Sequence, residues 1–112
     1  MTYKNAATFD ALRSVAFGSI NSTYTQVGPV LPASAVAVSF KNATDATIYI
    51  STDGVTDMIA IPPGWAEVYD IRGNAPNITD YLLSQGTAFL IKYSGSAPSS
   101  GSVYIEALIV QS

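Results

Sequence analysis

The stretch AVAVSFKNATDATIYIS, residues 35–51, decides the reading of the fold. Val36, Val38 and Phe40 alternate with Ala35, Ala37 and Ser39, and Ile48 and Ile50 alternate with Thr47, Tyr49 and Ser51. A period of two is the signature of a strand with one face buried and the other wet. Between the two runs stands Asn42-Ala43-Thr44-Asp45, whose Asn and Asp are turn formers because their short side chains hydrogen-bond nearby backbone. After the second run comes Asp53-Gly54, a hairpin dipeptide in which glycine accepts positive φ at no steric cost. The stretch therefore reads as strand, turn, strand, turn, and it assigns Asn42, Asp45, Asp53 and Gly54 to turn chemistry.

The same period recurs along the chain. Further strands are expected at 14–20, 58–61, 67–71, 88–93 and 103–110, separated by Gly28-Pro29, Pro62-Pro63-Gly64, Gly73-Asn74-Ala75-Pro76 and the loop from Ser94 to Gly101. No amphipathic helix of ten residues stands out, although one helical turn is possible over 79–84. About seven short strands at this spacing predict an all-β fold, an antiparallel β-sandwich or small jelly-roll-like barrel. With 112 residues the chain has room for one core. Residues 14–112 are assigned to that domain. Residues 1–13 show no strong period and carry isolated aromatics, so they are expected to be an N-terminal arm, ordering against a neighbour, or a first edge segment.

Composition excludes several chemistries. The chain has no cysteine and no histidine, which removes disulfides, thiolate metal sites, Ser-His-Asp and Cys-His nucleophiles and HExxH zinc sites. Five Lys and Arg against eight Asp and Glu give a net charge of −3, and the scattered cations make no footprint for nucleic acid. No apolar run reaches the roughly 18 residues of a membrane span, and the start lacks the apolar core of a signal peptide. Asp53 and Asp57 supply too few oxygens for a Ca²⁺ loop, and Glu67 and Asp70 beside Arg72 read as a surface ion pair. No metal or cofactor is called for. The N-x-[ST] triplets at Asn21, Asn42 and Asn77 read as chance matches in a chain rich in Asn and Thr.

The exterior is the unusual part. Charged residues make up 12% of the chain, about half the ~25% of an ordinary soluble domain. A surface so poor in charge does little to keep copies apart. Aromatic residues outside the regular strand pattern are the candidate assembly contacts: Tyr3 and Phe9 in the N-terminal segment, Tyr24, and Trp65 after Pro62-Pro63-Gly64. Tyr and Trp are enriched at protein interfaces, and an exposed Trp65 would equally serve as a platform for a sugar ring.

The ordered set Ala16-Phe17-Gly18-Ser19-Ile20, Tyr24 with Val27-Gly28, FKNATDATIYISTDG, IPPG with Val68-Tyr69-Asp70-Ile71, Gln85-Gly86-Thr87, Ile91-Lys92 and APSSGSVY resembles small structural proteins of tailed bacteriophages. The resemblance runs from Phe17 to Val110, in motifs of the form N-x-T-D, I-S-x-D-G and A-P-[ST]-S-G-x-V-Y. It implies a non-enzymatic β-sandwich present in many copies on the capsid or at the head, neck or tail. Such a protein would be made in the host bacterial cytoplasm and would have copies of itself and other virion proteins as partners. The family has no catalytic residues to carry over. Pro63, Trp65 and the N-terminal segment depart from its pattern and are where a partner specific to this chain would bind. The alternative is a β-sandwich that binds carbohydrate or a host surface.

Overall fold

The computed structural model describes residues 6–70 and 83–111. Among the described residues nine strands follow one another: β1 (Ala6–Phe9), β2 (Arg13–Ala16), β3 (Thr25–Gln26), β4 (Ala35–Asn42), β5 (Ile48–Ser51), β6 (Ile59–Ile61), β7 (Ala66–Asp70), β8 (Leu90–Tyr93) and β9 (Ser102–Gln111). All pairings are antiparallel. One sheet runs β1, β9, β4, β7, with β2 also on β9; the other runs β3, β8, β5, β6. Two antiparallel sheets packed around one core make the fold all-β and consistent with a β-sandwich.

The alternation seen in sequence becomes the division between core and exterior. On β9, Val103, Ile105, Ala107 and Ile109 are buried, and across from them on β4 so are Val38, Phe40 and Asn42. The second sheet contributes Ile48, Ile50, Ile61, Phe89 and Ile91. Each such apolar side chain taken out of water stabilises the fold by about 1.5–3 kcal/mol. Phe40 bridges the layers, packing edge-on against Phe89 at 5.7 Å and Tyr69 at 6.0 Å between ring centroids. Strict alternation fails at Ala35 and Val36, both buried, because the β4–β9 register slips between Ala35 and Ala37. An extra residue on one strand of a pair kinks it and turns consecutive side chains toward the core.

Two segments differ from their sequence expectation, and the N-terminal one takes the second of its two expected forms. The N-terminal segment, expected as an arm or edge, is over Ala6–Phe9 an edge strand on the chain's own β9, with Phe9 opposite Leu108. There is room for it because β9 spans ten residues and β2 covers only Ser102 to Ile105. The Asp10 amide donates to the Ala107 carbonyl at 2.9 Å and closes the space between β1 and β2. The strand expected over 14–20 stops at Ala16 and gives way to a 3-10 turn, Phe17–Ser19. The two-residue strand β3 carries no period long enough to notice. Tyr3, Arg72 and most of the helical turn expected over 79–84 lie outside the described residues; Leu83 forms an isolated bridge with Ala35.

Arg13 closes one end of the core. Its guanidinium is buried, paired with Asp10 at 2.8 Å, and donates from Nε and Nη2 to the Pro29 carbonyl at 3.1 and 3.0 Å. A buried cation is tolerated only when its donors are met this way.

Candidate functional site

The four turn residues fall into two different roles. Asn42, at the end of β4, is fully buried. Its Oδ1 accepts from the Thr44 amide at 3.0 Å and the Thr44 hydroxyl at 2.6 Å, and its Nδ2 donates to the carbonyls of Ala46 at 2.8 Å and Ile61 at 2.9 Å. Its backbone holds the amide of Gly64 and the carbonyl of Trp65. Asn42 thus joins the β4–β5 turn to the β6–β7 turn and satisfies groups in both sheets. Asp53 sits in the loop between β5 and β6, which is longer than a two-residue hairpin turn. Its carboxylate accepts from the amides of Val55 and Thr56 at 2.8 Å each and from the hydroxyls of Ser51 and Thr56. These bonds, the Thr56 and Val55 amides first, hold its pKa far below the usual carboxylate range. Gly54 follows at φ +76°.

Asp45 departs from the local turn role expected for it. Its carboxylate accepts from the amide of Ser99 at 2.7 Å and from the Ser99 hydroxyl, 54 residues away. The short side chain reaches across to the loop between β8 and β9.

The candidate assembly residues lie on different surfaces. Phe9 projects from the outer face of the first sheet, 76% exposed. In register with it are Leu108 on β9 and Ala37 on β4, and one row along lie Glu106, Ser39 and Val68. Val68 is 71% exposed. Phe9 and Val68 stand as the walls of a groove of about 250 Å³ floored by Ala37, Ser39 and Leu108. Sequence reading named Phe9 but missed Val68 and Leu108. The signal was available in Ala107 to Val110, four consecutive apolar residues where a strand with one wet face should alternate.

Tyr24 belongs to the outer side of the second sheet. Its hydroxyl donates to Asp57, the Lys92 ammonium lies 4.9 Å from its ring centroid, and Lys92 pairs with Asp57 at 3.3 Å. Tyr49 is opposite Lys92 in register. Partial burial, then the bond to Asp57, push the Tyr24 phenol above its usual range, and the same bond first, with Lys92, lowers Asp57. The three polar groups satisfy one another, and Lys92 occupies a face of the Tyr24 ring. Trp65 is at the start of the β7 edge with its indole 59% exposed, while its backbone is fixed by Asn42 and Pro62.

Between the sheets is an apolar cleft of about 260 Å³, lined by Val38, Phe40, Ile50, Met58, Tyr69 and Phe89 among others. It offers shape without a titratable carboxylate or amine. Among the described residues no three carboxylates gather closely enough to hold a metal ion. The chain matches no protein-family model and no curated protein.

Proposed function

We propose that this chain is a non-enzymatic structural component of a tailed-bacteriophage virion, assembling in multiple copies on the capsid or at the head–neck–tail region. The observation that carries the reading is the outer face of the first sheet, where Phe9, Leu108, Ala37 and Val68 make an apolar surface on a chain only 12% charged. An antiparallel sheet of a free monomer ordinarily turns polar residues outward, and exposed apolar patches of this kind mark interaction sites. The resemblance of residues 17–110 to small virion proteins supplies the setting, with the host cytoplasm as the place of synthesis and the virion as destination. The lack of His and Cys and the self-satisfied polar clusters at Asp53, Asp45 and Asp57 favour a role without chemistry.

Quantitative mass spectrometry of gradient-purified particles, from an infection in which this chain is expressed, tests the reading. A fixed, repeated copy number per particle supports it, and absence from particles rejects it. The second reading, a carbohydrate-binding module, rests on the exposed indole of Trp65; it requires saturable glycan binding that Trp65→Ala abolishes.

A further inference from the structure

We propose that the outer face of the first sheet is where two copies of this chain meet, with the Phe9 ring of each seated in the groove of the other. The proposal rests on the reading of a multi-copy protein and names the surface and the residues that would carry it. A two-fold interface requires one patch to be complementary to itself, so that projection and recess lie side by side on the same surface. Phe9 is that projection, and the groove of about 250 Å³ beside it, bounded by Val68 and floored by Leu108 and Ala37, is the recess.

Size points to a second copy rather than to a small ligand. The ten residues of β9 rise about 33 Å, and the strands flanking it, spaced about 4.8 Å apart, make the face roughly 18 Å wide. That is on the order of 600 Å² per copy, a tenth of the accessible surface of 6427 Å² and at the lower end of what a specific interface covers. By strand register Asp70 of β7 shares the row of Phe9, Leu108 and Ala37, so the face carries Asp70 and Glu106 against Lys41. Phe9 stands on the edge strand β1, and an aromatic ring buried in a partner's recess is the kind of group that dominates the affinity of a small interface.

Sedimentation equilibrium on the full chain tests this, comparing wild type with Phe9→Ser, Val68→Lys and the control Val55→Ser. Val55 is 83% exposed on the β5–β6 loop, away from the face. All three side chains are exposed, so circular dichroism and melting temperature should match wild type and separate lost association from lost folding. The expected result is a wild-type dimer, or a larger assembly built from dimers, whose dissociation constant weakens roughly a hundredfold in Phe9→Ser, because both copies lose the ring. Val68→Lys should weaken it comparably and Val55→Ser not at all. Undiminished association of Phe9→Ser and Val68→Lys overturns the assignment of the face but leaves the multi-copy reading standing. A wild-type chain that stays monomeric at every concentration overturns both this dimer and self-assembly of the free chain, and directs the face to a different virion protein.

Discussion

Asp45 and Ser99 lie 54 residues apart and are joined by two hydrogen bonds, one of them from the Ser99 amide at 2.7 Å. The contact fastens the β4–β5 turn to the loop that leads into β9. Beside it the Ala43 amide donates to the Ser102 carbonyl at 2.9 Å, and the Phe17 amide to the Gly101 carbonyl at 3.0 Å. Three segments distant in sequence are therefore stitched together at one end of the first sheet.

Gly101 is the tight point of that junction. A Cβ built there would stand 1.9 Å from the Ala43 carbonyl oxygen, at φ +86°. Gly95 has nearly the same backbone, φ +83°, but no atom within 4 Å of a Cβ. Gly95→Ala should cost about 1 kcal/mol from backbone strain alone. Gly101→Ala should cost several times more, since backbone has to move. Chemical denaturation of both variants checks this, and equal losses would mean that the junction is loose.

Asn42 should tolerate neither loss nor charge. Asn42→Ala takes the Nδ2 donor from the buried Ala46 and Ile61 carbonyls, of which Ala46 keeps the Thr44 hydroxyl, and takes the Oδ1 acceptor from the Thr44 amide, a loss of about 2–4 kcal/mol for groups of this kind. Asn42→Asp points a carboxylate at those same carbonyls and should be worse, although it is nearly isosteric. Melting temperatures ranked wild type, Ala, Asp are expected; an Asp variant as stable as wild type would contradict the hub geometry.

Acid should loosen the molecule through Asp45 and Asp53. Hydrogen bonds from Ser99 lower the pKa of Asp45, and those from Thr56, Val55 and Ser51 lower that of Asp53. A folded pKa below the unfolded value contributes stability that is present above the unfolded pKa, near 4, and is lost as pH falls through the folded one. Melting temperature should be flat from neutral pH to about 5 and fall below 4. Asp53→Asn, which cannot titrate, should melt lower than wild type at neutral pH, and the gap should close toward pH 2. A gap independent of pH would contradict the assignment.

Tyr24 should ionise well above the ordinary phenol range. Its phenol is raised by partial burial and by the bond to Asp57, so its contribution is fully present below the ordinary phenol value of about 10 and is lost as pH rises through its own. Tyrosinate absorbance in an alkaline titration should show a late phase that shrinks by one group in Tyr24→Phe. A Tyr24→Phe titration superimposable on wild type would contradict the cluster.

What the sequence made legible was whatever depends on neighbours along the chain. The period of two in residues 35–51 and 103–110 placed β4, β5 and β9 because alternation is a local property of a half-buried strand. Asp53 acts within three residues of itself and was readable as a turn residue. Asp45 has the same local signature yet reaches Ser99, and nothing in N-A-T-D distinguishes the two. Arg13 carries no local sign of its burial, since its contact with the Pro29 carbonyl depends on how the chain returns to it. β1 was obscure because Ala-Ala-Thr-Phe has little alternation and takes its order from β9. The groove beside Phe9 was hidden for the same reason: Val68, Leu108 and Ala37 come from three strands that only the sheet order brings together.

On the proposed reading, the weakly charged exterior is there to be covered by copies of the same chain. The mass of the purified wild-type protein, by light scattering coupled to size exclusion across a wide concentration series, decides between that and a free monomer. A defined oligomer of fixed stoichiometry, persisting on dilution into the micromolar range, is the predicted result. A single monomeric mass at every concentration would contradict it.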